Sequence, residues 1–197
     1  MKKTLFAAVA TTLLAASPAF AADDTGFYVG AGVGNFAANS DLIYNGKDWD
    51  GSDFGYKVFG GYQFMKWLAA EAEYVDGGEP DDNFNSPAFP DDRLKASVGI
   101  TGFVGSAVGI WPIGESFNLF GKLGFIYWDA DGSAKIRDEV GTIVKTSVGE
   151  DGTDFAWGVG GTWNFTETFG VRAEYQGFEL SNFDSVDFAS ASIIWRF

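Results

Sequence analysis

The chain has 197 residues, with 27 Asp and Glu against 13 Lys and Arg and a formal net charge of −14. So acidic a balance excludes nucleic acid as a partner, because phosphate binding rests on basic clusters. It contains no cysteine and no histidine, so it lacks a disulfide framework, a thiol nucleophile and the ordinary general acid and base near neutral pH.

The first residues read as a removable export signal. Lys2 and Lys3 form a positive start, Leu5 to Ala16 an alanine- and leucine-rich apolar run, and Ser17-Pro18-Ala19-Phe20-Ala21 a small-residue cleavage site. The run is shorter than the roughly 20 apolar residues needed to span a bilayer, and Pro18 interrupts its end. The expected organisation is therefore a cleavable signal peptide over 1–21 and one domain over 22–197.

Beyond it, side chains alternate with the period of two that marks strands. Eight candidates follow in chain order, at 26–36, 53–64, 68–76, 93–105, 118–128, 153–165, 169–178 and 186–197. The second and sixth are the clearest. Phe54, Tyr56, Val58, Gly60, Tyr62 and Phe64 share one face, and Phe155, Trp157, Val159, Gly161, Trp163 and Phe165 share another, each with rings at both ends and small residues between. Eleven such residues, tilted near 40°, rise about 25 Å, the height of the apolar band of a membrane barrel with its two aromatic girdles. The same face continues through Phe27, Val29, Ala31 and Val33; Leu68, Ala70, Ala72 and Tyr74; Leu94, Ala96, Val98 and Ile100; Leu119, Leu123, Phe125 and Tyr127; Val171, Ala173 and Tyr175; and Ile193, Trp195 and Phe197. No later segment approaches a spanning helix, and an open sheet edge cannot be satisfied in lipid, so a membrane location demands a closed barrel. A soluble lipocalin-like barrel would turn this face inward, but 20 Phe, seven Tyr and seven Trp are too many for so narrow an interior.

The connections alternate in length, as an up-and-down membrane barrel requires. Those at 65–67, 111–117 and 166–168 are short; those at 37–52, 77–92 and 129–152 are long, with 179–185 on the same side. Counted with their strand ends, the four outer connections hold 20 acidic residues against Lys47, Lys135, Arg137 and Lys145. The barrel and inner turns are then neutral overall. Such loops suit divalent cations or host or surface ligands.

Two short patterns carry little. Gly32-Val33-Gly34-Asn35-Phe36-Ala37 fits a dinucleotide fingerprint, but no helix opens there to face a phosphate. Asp129-Ala130-Asp131-Gly132-Ser133 opens like an EF-hand, yet Val140 stands where the closing Glu belongs. Weak cation binding by Asp129, Asp131, Asp138 and Glu139 needs no EF-hand. No catalytic, cofactor or dedicated metal site is expected.

Strand parity turns Lys57, Glu71, Glu73, Lys95, Lys122, Arg172, Glu174 and Arg196 inward. An eight-stranded barrel is just wide enough for its side chains to fill, so these charges are expected to pair across the lumen as a plug. A small gated channel is the alternative.

The eight-strand parity, the Gly61-Tyr62-Gln63 end of the second strand, the Arg172-Ala173-Glu174-Tyr175-Gln176 run and the closing Ile193-Ile194-Trp195-Arg196-Phe197 together resemble the small OmpA/OmpX-type outer-membrane barrels over residues 26–197. The resemblance implies an outer-membrane location with periplasmic termini and a lipid surround. It implies a luminal cluster in which Glu71, Lys122 and Arg172 take part. It also implies that Ile193, Trp195 and Phe197 are read by the barrel-assembly machinery. A chain ending at Phe197 is expected to lack the peptidoglycan-binding domain of full-length OmpA. The expected function is non-enzymatic: surface structure, envelope integrity or adhesion through the acidic loops.

Overall fold

The computed structural model describes residues 25–44, 47–78, 81–85, 93–137, 143–180 and 185–197, with backbone alone for 39–51, 81–98 and 132–148 within them. The expected signal peptide lies outside this range. Nine strand segments follow: β1 (Gly26–Tyr44), β2 (Lys47–Met65), β3 (Leu68–Asp76), β4 (Asp81–Asn85), β5 (Arg93–Ile113), β6 (Phe117–Arg137), β7 (Ile143–Asn164), β8 (Phe169–Phe178) and β9 (Ser185–Arg196). Every pairing is antiparallel, neighbours in sequence pair except β3 and β4, and β3 joins β5 while β1 joins β9. The sheet is closed. β3 and β4 lie end to end along β5, against 101–109 and 93–97 respectively, so the nine segments make eight staves.

The break between β3 and β4 has a local cause. Gly78 adopts φ +76°, a left-handed conformation that suits glycine, and its N–H donates to the Asp76 side chain at 3.0 Å. A Cβ at Gly78 would lie 2.7 Å from Asp53 Oδ2. At the opposite end the turns are tight, with Gly114 at φ +74° between β5 and β6 and Phe169 N–H donating to Thr166 Oγ1 at 2.8 Å between β7 and β8.

The ladders outrun the expected strands. Residues 37–52 and 129–152, expected as loops, are largely paired: β1 and β2 stay in register to Ser40↔Trp49, and β6 and β7 to Arg137↔Ile143. The Asp129-Ala130-Asp131-Gly132-Ser133 run is strand, Asp129 facing Asp151 in register. Apolar alternation reports contact with lipid, whereas backbone pairing continues into water without it. β5 is longer at its other end too, reaching Ile113, because Gly105, Ala107 and Gly109 make its outer face too small to show an alternation.

One face is corrected. The sequence reading turns Leu94, Ala96, Val98 and Ile100 to lipid, but Ile100 is 2% exposed, inside with Val104 and Val108, while Phe103 is exposed. Lys95 shares the parity of Phe103, not of the luminal residues. The lumen at this height is itself apolar, so an inward Ile is indistinguishable from a lipid-facing one.

Elsewhere the outer wall is as expected, and it is a membrane surface. Rings crowd both ends: Phe27–Tyr62, Tyr62–Phe64 and Trp195–Phe197 at the end bearing the termini, with centroids 4.7–5.0 Å apart, and Tyr74–Phe103 at 5.1 Å at the hairpin end. Between them Gly60, Ala72 and Gly105 sit side by side in register across β2, β3 and β5, a waist of small residues.

The interior has three layers. Toward the hairpins lies an apolar cluster around Phe36, Ile100, Ile126, Trp128, Phe178 and Phe188. Toward the termini lies a smaller one of Tyr28, Phe59, Ala69, Val108, Phe120 and Ile194. Charged side chains occupy the level between.

Gly60 lies at the waist, and a Cβ there would meet only Tyr28 O and Val29 Cγ1, both at 3.8 Å, so a larger side chain fits and its solvation decides. Gly60→Arg is expected to cost about 2–4 kcal/mol, against about 0–1 kcal/mol for Phe64→Arg at the interface. Unfolding titrations in lipid vesicles measure both, and equal costs would show the apolar band to be misplaced.

Candidate functional site

The middle layer is built by alternate residues of four staves. β2 contributes Lys57, β3 Glu71 and Glu73, β6 Lys122, and β8 Arg172, Glu174 and Gln176; all seven are buried, Lys57 and Gln176 completely. Neighbours on each strand face lipid, so the period of two alone separates charge from hydrocarbon.

The charges interlock. Arg172 Nη1 donates to Glu71 Oε2 at 2.7 Å, and the Tyr28 hydroxyl donates to the same oxygen at 2.9 Å. Lys122 Nζ sits amid three carboxylates, 2.7 Å from Glu174 Oε1, 3.0 Å from Glu73 Oε2 and 3.3 Å from Glu71 Oε1. Lys57 Nζ pairs with Glu174 Oε2 at 2.5 Å and Glu73 Oε2 at 3.3 Å. Gln176 bridges, accepting from Lys57 at 2.7 Å and donating to Glu73 at 2.7 Å. Three cations thus balance three carboxylates.

Aromatic faces complete the layer. The Arg172 guanidinium lies 4.5 Å from the Phe120 centroid and 4.7 Å from that of Phe59, where the ring quadrupoles attract a cation. Lys57 stands 5.6 Å from Phe59 and 5.8 Å from Phe188. The cations therefore rest against the apolar layers on either side.

Of the eight residues that the sequence reading turns inward, six meet here. Arg196 does not: it is half-buried beyond Ile194, at the terminal end, and donates to Asn164 Oδ1. Lys95 lies in register with Asn83 and Lys135 on the extended hairpin side, and its side chain is outside the described set. Tyr28 and Gln176 join the network without having been singled out, although both lie on luminal parity; a search for inward polar residues of any kind, not only charges, finds them.

Every carboxylate in the layer is held by a cation, which leaves none poised as a base or nucleophile. Among the described residues no group of three or more His, Cys, Asp or Glu is arranged to hold a metal ion. What the arrangement does chemically is neutralise buried charge and tie four staves across the lumen.

Ile193, Trp195 and Phe197 form the outer face of the last strand. Trp195 stacks on Phe169 at 6.1 Å and touches Phe197 at 4.7 Å, and Phe197 N–H donates to Phe27 O at 3.0 Å. The end of the chain thus sits on the seam that closes the barrel.

Residues 6–197 match the family model of the outer membrane protein beta-barrel domain. No curated protein sequence matches the chain. Among solved structures, Neisserial surface protein A aligns with a TM-score of 0.63 at 14% identity, over 87% of this chain and 97% of that one. Ail, the attachment invasion locus protein of Yersinia pestis, solved with the heparin analogue sucrose octasulfate, aligns with a TM-score of 0.53 at 18% identity, over 87% and 99%. The outer membrane protein OprG of Pseudomonas aeruginosa gives 0.53 at 13% identity, over 87% and 92%. At these identities the likeness is one of fold.

Removing Glu71 leaves Arg172 and Lys122 short of their shared carboxylate, and Glu71→Ala is expected to cost about 3–5 kcal/mol. Glu71→Ala with Arg172→Ala should cost less than the two singles together, and the coupling should exceed that of Glu71→Ala with Lys122→Ala, whose contact is 3.3 Å and not 2.7 Å. Additive costs in urea titrations would mean that these charges do not form one network.

Proposed function

Because the chain belongs to the outer membrane protein beta-barrel domain family, we propose that it is a non-enzymatic outer-membrane protein that closes its own lumen and works through its outer surface, in surface structure, envelope integrity or adhesion. The observation that carries this reading is the balanced ionic layer: three cations and three carboxylates, buried between two apolar clusters, fill the passage. A conducting pore needs a continuous wet path, and each apolar layer interrupts one. Function then falls to the hairpins that continue past the girdle.

The signal over 1–21 carries the chain across the inner membrane, the short turns and both termini face the periplasm, and the long hairpins face outward. Their acidity, 20 carboxylates against four basic residues, suits divalent cations or basic patches on a host or surface ligand. Ail was solved with a polysulfated sugar; a polyanion of that kind does not suit the outer connections of this chain.

Planar-bilayer recording tests the closed lumen. The purified protein is expected to give no steady conductance, and Glu71→Ala, by loosening the layer, to give discrete openings. Steady conductance of the unaltered barrel would replace this reading by that of a small channel.

The assembly-machinery reading of Ile193, Trp195 and Phe197 is supported by the position of Phe197 on the closing seam. Deleting Phe197, or Phe197→Asp, is expected to lower the amount of assembled barrel several-fold while export continues, as followed by fractionation and by the different migration of heated and unheated protein. Unchanged outer-membrane levels in both variants would remove this role.

A further inference from the structure

We infer that the wall formed by β8 and β9 holds an internal water site, bound by Ser190, Ser192 and the Nε of Arg172. These residues lie together: Arg172 is in register with Ser192, and Glu174, two residues along, with Ser190. Ser190, Ser192 and Arg172 are 8%, 5% and 6% exposed, yet the two hydroxyls and the Nε have no hydrogen-bond partner within the protein. Buried polar groups without a partner are rare, and where they cluster a bound water commonly supplies the missing bonds.

The neighbouring strand offers no side chain to supply them. The strand beside β9 is β1, whose luminal positions opposite Ser192 and Ser190 are Gly32 and Gly34. A Cβ at Gly32 would stand 2.1 Å from Ser192 Oγ, so this wall has no room for a longer residue. Arg172 has already committed Nη1 to Glu71.

Chemistry selects water over an ion. The layer holds three cations and three carboxylates, so a further charge of either sign would be unbalanced, with the guanidinium facing a cation and Glu71 and Glu174 facing an anion. A water accepts from Nε–H and exchanges bonds with two hydroxyls, three contacts, the usual number for an internal water. Phe36, Phe178 and Phe188 belong to the apolar cluster on the hairpin side of the layer, and Ile194 and Tyr28 to the one on the terminal side. The water is therefore held, not streaming. This site depends on the lumen alone and stands whatever the hairpins bind.

Nuclear magnetic resonance on the folded protein with 15N-arginine tests it, the probe being solvent water. The Arg172 Nε–H, assigned by its absence from Arg172→Lys, should show cross-relaxation with a long-lived water, and Ser192→Ala should weaken that signal several-fold. No cross-peak in a folded barrel, or one with the signature of fast-exchanging solvent, would overturn the site. Independently, Ser190→Ala and Ser192→Ala should each lower the urea midpoint, and the double variant should lower it by less than the two singles combined. Unchanged or raised midpoints would mean a dry wall carrying unpaired hydroxyls, and would equally overturn the proposal.

Discussion

Closure of the backbone ladder is the constraint on which the rest of this barrel depends. In hydrocarbon no water can satisfy an unpaired N–H or C=O, so the first and last strands must meet, as they do from Tyr28↔Arg196 to Asn39↔Ser185. Eight staves closed in this way enclose a space that side chains fill. The filling of the lumen by side chains is thus a geometric consequence of the strand number, and what the sequence chooses is its chemistry.

That filling is achieved by pairing rings with absent side chains. Luminal Phe59, Tyr28 and Phe120 each lie across a glycine of the neighbouring strand, Gly30, Gly61 and Gly160; a Cβ at those positions would come within 2.2, 2.3 and 2.6 Å of a ring carbon. A ring set against a cross-strand glycine occupies the space that two ordinary residues would contest, and it leaves room at the next level for the charged layer. The same three rings then face the Arg172 guanidinium. The glycines therefore shape the ionic layer from one strand away.

How much of this was legible in the sequence depends on whether the two faces of a strand differ. On β2, β8 and β9 one face meets lipid while the other meets charge or small polar groups, and alternation identifies both. On β5 it does not, because Ile100, Val104 and Val108 enter an apolar lumen and look no different from lipid-facing residues. The extended hairpins were illegible for a related reason: their pairing is carried by the backbone in water, where side-chain pattern is unconstrained. Parity also gives a face but not a height. Arg196 shares the luminal face of β9, yet it sits at the terminal end beyond Ile194 and bonds Asn164, whereas Arg172 lies at the level of Glu71. Which charges meet is decided by register, and register is a property of the closed sheet.

Register also explains what an ionic layer does that an apolar one could not. Replacing a buried ion pair by apolar residues of similar volume is often neutral or stabilising, so stability alone does not account for three cations and three carboxylates in the lumen. Alternation guards against a slip of one residue, which would turn charge to lipid. It is blind to a slip of two, which keeps every face correct. The charges are not blind to it: moving β8 by two residues would bring Glu174 to the level of Arg172, facing Glu71, and replace a 2.7 Å ion pair with two buried carboxylates in contact. The ionic layer therefore penalises the one class of misalignment that the lipid face tolerates, and it does so at the level where β2, β3, β6 and β8 meet across the lumen.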